Sequence, residues 1–212
     1  WDVSATYTVN DDISVYTRAA KSFRAPSIQG RILFDPAEIT IGDTEEIFSV
    51  EAGIKAELLD NRMRVNFSAY VSDIDNQQLT AVGGTTNTNR LINAADTNLA
   101  GFEFDAEWAV TENLYVTAGV SYNFTEINDP DLTLIACGSN CTITDPFIQT
   151  PNPFAADGDG LDEIANIDGN RLPQAPRWIA NWTARYGIPV GNDGEIYLCL
   201  LYTSPSPRDG RI

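Results

Sequence analysis

The chain of 212 residues has no histidine, three cysteines and one methionine. Without imidazole there is no Ser-His-Asp or Cys-His nucleophile relay, no His-ligated zinc and no facial-triad iron. Three thiols do not hold an iron–sulfur cluster or a four-cysteine zinc site. Basic residues are also scarce: 13 Lys and Arg stand against 30 Asp and Glu, for a formal charge of -17. A groove for nucleic-acid phosphates needs the opposite balance, so no nucleic-acid partner is expected. No apolar run approaches the ~18 residues of a membrane helix. The chain opens at Trp1, inside an alternating segment, and is expected to be a piece of a longer polypeptide. What remains for function is carboxylates, hydroxyls, amides and shape, with no cofactor expected and no enzyme activity.

What the sequence has in quantity is period two. In FSVEAGIKAEL (Phe48 to Leu58), Val50, Ala52, Ile54, Ala56 and Leu58 share one face, and Ser49, Glu51, Gly53, Lys55 and Glu57 share the other. After Leu59-Asp60-Asn61-Arg62, the segment Met63 to Ile74 places Met63, Val65, Phe67, Ala69 and Val71 opposite Arg64, Asn66, Ser68, Tyr70 and Ser72. Phe102 to Val110 alternates Phe102, Phe104, Ala106 and Trp108 with Glu103, Asp105 and Glu107, then turns at Thr111-Glu112-Asn113 into Leu114 to Phe124. Val3 to Val9, Ile13 to Phe23 and Arg177 to Tyr186 read the same way, and no segment carries an apolar stripe at helical spacing. The expectation is an all-β, antiparallel chain of about seven strands with the start of an eighth at Gly194 to Leu198.

The connections fall into two classes. Turns near Asp11, Asp60, Glu112 and Asp193 are short and rich in Asn, Asp and Gly, as hairpins require. Arg24 to Ile47, Asp75 to Asn98 and Asn128 to Pro173 are long. Tight turns at one end and long loops at the other are the asymmetry of an outer-membrane barrel, whereas a soluble sandwich seldom needs loops beyond ~15 residues. Strand length points the same way: a tilted membrane crossing takes ~9–11 residues and ordinary strands average ~5–6. Trp108, Trp178, Trp182 and Tyr186 lie on the apolar face, where amphipathic rings form interfacial girdles.

Cys199 to Asp209 (CLLYTSPSPRD) changes character and resembles the in-frame translation of a sequencing adapter. Residues 1–198 are therefore expected to be the barrel segment, and residues 199–212 a non-native tail.

At this point a family is visible. YTRAAKSFRAPS (Tyr16 to Ser27) resembles the strand and loop entry of TonB-dependent outer-membrane receptors. The hairpin Phe48 to Leu79, the hairpin NLAGFEFDAEWAVTENLYVTAGVSYNFTEI and the strand entry GNRLPQAPRW (Gly169 to Trp178) resemble successive pieces of the same barrel, in family order. The resemblance implies an up-and-down transmembrane barrel of 22 strands, incomplete here, in the outer membrane of a Gram-negative bacterium. It also implies outer-membrane lipid as one partner, and TonB as another through a plug domain absent from this segment. The activity it implies is energised uptake of a scarce large nutrient such as a ferric chelate, cobalamin or a glycan. A passive porin-like or adhesive barrel is one alternative, and a secreted carbohydrate-binding sandwich is another. A plug encoded upstream would decide for the receptor.

On that reading Glu51, Lys55, Glu57, Arg64, Glu103, Asp105, Glu107, Arg177 and Arg185 line the lumen, either as a permeation surface or as a ladder of structural ion pairs beside a plug. The carboxylates of Glu103, Asp105 and Glu107 follow from alternation along one strand and do not form the facing pair of a glycosidase. Cys137 and Cys141 (CGSNC) are expected to close a disulfide in an oxidising extracellular loop. Asp157 to Glu163 (DGDGLDE) is similar to a calcium loop but has Leu161 where that pattern takes Asp or Asn, which favours a solvated acidic loop.

Overall fold

A computed structural model of the chain describes residues 1–29, 39–83, 88–135, 148–151, 161–191 and 194–204. Its strands are β1 (Asp2–Asn10), β2 (Ile13–Arg24), β3 (Ser27–Ile28), β4 (Ile41–Gly42), β5 (Glu45–Leu58), β6 (Met63–Gly83), β7 (Thr88–Ala109), β8 (Leu114–Ile127), β9 (Thr133–Ile135), β10 (Ile148–Pro151), β11 (Leu161–Asn166), β12 (Trp178–Val190) and β13 (Gly194–Thr203). Eight of them form one sheet in the order β1-β2-β5-β6-β7-β8-β12-β13. Each pairs antiparallel with the next, and the ladder stays open at β1 and β13. This is an up-and-down barrel wall that has not closed.

Turn chemistry sets the registers. Leu59, Asp60 and Asn61 all adopt left-handed φ between 55° and 63°, and the Arg62 N–H donates to the Leu59 carbonyl at 3.2 Å. Asp and Asn tolerate that conformation better than Leu, so the pair Asp60-Asn61 makes the reversal affordable. At the next hairpin the Thr111 hydroxyl oxygen accepts from the N–H groups of Asn113 and Leu114.

The strands outrun the expected ones. Asp75 to Asn98, read from sequence as a long loop, is mostly ladder: β6 continues to Gly83 and β7 starts at Thr88. At Asn76, which takes φ 54°, and at Ala95 across from it one position on each strand drops out of the pairing, after which the register resumes unshifted with Gln77 facing Ala94. At the other end, Cys199 to Thr203 continue β13 opposite Asn181 to Arg185.

The sheet has one apolar and one polar face, and along the strands that polarity reverses once. The register row Val50, Val71, Ala100, Phe124 is apolar on the first face. Two rows further toward the long connections, the same face carries Glu46, Asp75 and Asp96, while the opposite face there carries Ile47, Ile74, Thr97 and Ile127. Beyond this row the chain is patterned like a water-soluble protein. The buried apolar side chains are found there too: Ala94, Ile127 and Ile167 are at most 3% exposed and pack with Leu79, Ile92, Leu132, Leu134 and Leu172.

Two small units are held to this extension. The β10-β11-β9 sheet returns through Gly169, whose N–H donates to the Ile127 carbonyl at 2.8 Å, and Asp129 accepts from the Ala95 N–H. The β3-β4 ribbon is fixed by Gln78, which is 6% exposed and fully partnered. Its side chain accepts from Ser27 Oγ and donates to the carbonyls of Ala25 and Asp43, and its N–H donates to Glu45.

Ile167→Ala in the complete protein is expected to cost the extension about 2–5 kcal/mol by opening its core. Trypsin applied to whole cells should then cut at Arg171, while the heat-resistant barrel band is unchanged; loss of that band would mean the extension and the wall fold as one unit.

Candidate transport surface

Register places Glu103 between Ser68 and Ser121, Asp105 between Asn66 and Gly119, and Glu107 between Arg64 and Thr117. All three carboxylates lie on the polar face of β7. Glu107 accepts a hydrogen bond from the Tyr115 hydroxyl at 3.0 Å, and Arg64 pairs with Glu57 at 3.3 Å. Glu51 sits beside Arg18 and Tyr70 and accepts from the Tyr16 hydroxyl. Lys55 Nζ stands 5.6 Å from the centroid of the same Tyr16 ring. Farther round the wall, Arg185 pairs with Glu195 at 3.0 Å and stacks its guanidinium 4.8 Å over Tyr197. Arg177 is exposed just before β12, where its carbonyl accepts from the Asn123 N–H.

The expected residues therefore tile a wall and do not converge on a point. Partners such as Arg64 and Glu57 are about half exposed, so each pair adds little stability. Among the described residues, no three acidic or thiol side chains gather as a metal cage. Cys137 and Cys141 lie outside the described residues. So do Asp157 to Gly160 of the acidic loop, and Leu161 opens β11.

Sequence reasoning missed the tyrosines. Tyr16 lies over Gly53, its register partner, and Tyr70 lies over Gly101, with its hydroxyl donating to Asn123. Asn123 in turn donates to the Pro176 carbonyl at 3.3 Å. A Cβ at Gly53 would sit 2.5 Å from the Tyr16 ring and 2.7 Å from the Phe67 carbonyl oxygen. The signal was present: a glycine in mid-strand on a polar face marks a close approach by something on the next strand.

Long antiparallel strands, an apolar outer band and a polar wall define a segment of an outer-membrane β-barrel. The family model for the TonB dependent receptor-like β-barrel matches residues 1–204, and the chain belongs to that family. Its members are outer-membrane transport receptors and not enzymes. Among solved structures, the chain is similar to the ferric yersiniabactin uptake receptor FyuA from Yersinia pestis, with a TM-score of 0.63 and 18% identity over 94% of this chain and 24% of that one. It is similar to the alcaligin outer-membrane receptor FauA from Bordetella pertussis at 0.51 and 15%, covering 96% of this chain and 29% of that one. The ferric-catecholate import receptor Fiu from Escherichia coli K12 matches at 0.52 and 18%, covering 88% and 22%. The chain thus spans between a fifth and a third of those receptors, and at this identity the likeness speaks for the fold.

Gly53→Val is expected to destabilise the assembled barrel by about 1–3 kcal/mol, since the branched side chain must displace the Tyr16 ring and crowd the Phe67 carbonyl. Urea unfolding of the complete protein in lipid vesicles measures this; an unchanged midpoint would mean the ring does not rest on the glycine.

Proposed function

We propose that this segment is part of the barrel wall of a receptor for TonB-energised uptake of a scarce, large nutrient, with ferric chelates, cobalamin and glycans as the candidate classes. The observation that carries this reading is the segregation of faces over eight strands long enough to cross a bilayer, within a chain of this family. The apolar face, through Ala52, Phe67 and Phe104, meets lipid. The polar face, through Glu51, Lys55, Arg64, Glu103, Asp105, Glu107, Arg177 and Arg185, lines the lumen. Residues 1–198 make the wall, residues 199–212 are foreign text without a role in transport, and TonB engages a plug outside this segment. The ladder in β13 is compatible with that division, because backbone pairing accepts most side chains and so is blind to the origin of the text. Cys137 and Cys141 form a bridge that shapes the tip of an extracellular loop and adds little to global stability, because the ring is short.

Ala52→Arg or Phe67→Arg should cost ~2–4 kcal/mol at the bilayer midplane, and Ser68→Arg, near Glu103 on the other face, should be milder. The heat-resistant folded fraction in outer-membrane preparations reads this; equal losses at the three positions contradict the face assignment. For transport, a strain lacking the gene for the complete protein should fail to accumulate one nutrient class at limiting supply. Uptake by the parent strain should stop when TonB is removed. Accumulation that persists without TonB would identify a passive barrel.

A further inference from the structure

The chain that leads into β12 does not run beside β8 as a regular strand, and its prolines are the reason. Asn170 and Arg177 stay in the plane of the sheet: the Ile127 N–H donates to the Asn170 carbonyl and the Asn123 N–H to the Arg177 carbonyl, both at 2.9 Å. Between them Pro173 and Pro176 have no N–H to give a ladder, and Gln174 takes φ 59°. The chain therefore arcs onto the face that carries Glu51 and Glu103 lower down. There the Leu172 N–H donates to Thr125 Oγ1 at 3.1 Å. The Pro176 carbonyl accepts from Asn123 Nδ2 at 3.3 Å, and Asn123 Oδ1 accepts from the Tyr70 hydroxyl. Burial records the cover: on this one face Thr97 is 0%, Ile127 1% and Thr125 5% exposed.

We propose that residues 167–177 form a permanent strap over the lumen side of the wall, a fixed edge of the entrance that stays closed while cargo passes beside it. The inference rests on the assignment of the polar face to the lumen and of the long connections to the cell exterior. Three observations then favour a fixed strap over a moving lid. Ile167 and Leu172 pack with Ala94 and Ile127, which closes the outer end on an apolar core. The inner end is held by a different set of contacts, running from Pro176 through Asn123 to Tyr70 on β6. Lifting the strap breaks both sets together and brings water to Ile127 and Thr97. The two prolines also hold φ fixed within the arc, so it has few other shapes to adopt.

The test is N-ethylmaleimide labelling of the complete receptor on growing cells, in a Cys137→Ser/Cys141→Ser background. Thr97→Cys reports on the strap, and because Thr97 Oγ1 has no hydrogen-bond partner among the described residues, the change breaks none. Thr133→Cys, exposed at the start of β9, is the open reference. The Thr97→Cys thiol should react about a hundredfold more slowly than the reference, and equally slowly in cells with and without TonB. Ile167→Ala should bring it close to the reference rate. Tyr70→Phe, which removes one hydroxyl and adds no bulk, should speed it about fivefold, so the strap is read even where Ile167→Ala does not assemble. Faster labelling of Thr97→Cys when TonB is present would make the segment a lid and overturn the proposal. A rate equal to the reference without further change, or an unaltered rate in both Ile167→Ala and Tyr70→Phe, overturns it as well. An error in the underlying reading shows separately, as a Thr133→Cys thiol that reacts only after the outer membrane is permeabilised, and the strap falls with it.

Discussion

Every backbone N–H and C=O of a strand crossing hydrocarbon has to find its partner on a neighbouring strand, because hydrocarbon supplies none. The rest of this structure follows from that requirement. It explains why the eight long strands pair in sequence order, why their registers continue for seven or more residues, and why the ladder has edges at β1 and β13 that await the remainder of a barrel. It also explains where the buried apolar side chains are absent. β1 is exposed along its whole length, and the spanning rows of the sheet contribute almost none of the described core. A single sheet with no second layer over these rows has nothing there to bury side chains against.

The alternation that satisfies the ladder also distributes the chemistry. Charged groups recur at every second residue on one face, so Glu103, Asp105 and Glu107 stand in a column with hydroxyls and amides on either side. Such a surface offers many weak polar contacts spread along the strands. The tyrosines add order to it. By lying over Gly53 and Gly101, Tyr16 and Tyr70 occupy space that a β-carbon would take, and their hydroxyls reach Glu51 and Asn123. Each glycine is thus the recess for a ring on the adjacent strand.

At the row of Glu46, Asp75 and Asp96 the polarity of the two faces changes over. The strands go on pairing in the same register past Asn76, but isoleucines turn to the formerly polar side and a small core of Ala94, Ile127 and Ile167 forms. Gln78 and Glu45, both buried, are affordable there because their polar atoms are met by the β3-β4 ribbon and the Gln78 backbone. The long connections are consequently docked units on an extended hairpin.

Period two, strand length and turn composition determined by themselves the all-β class, the antiparallel order and which residues share a face, because a strand exposes alternate side chains to opposite sides whatever it pairs with. That Glu51, Lys55, Arg64, Glu103, Asp105 and Glu107 share one polar face was legible for the same reason. The run of β6 and β7 through Asp75 to Asn98 was not, since the polar run Asp75-Asn76-Gln77-Gln78 carries no apolar alternation and makes a continuous ladder read as a loop. Nor were the rings over Gly53 and Gly101 or the pairing of Arg185 with Glu195. Those depend on which residue stands opposite which, and register between strands far apart in the chain is decided only when the sheet assembles.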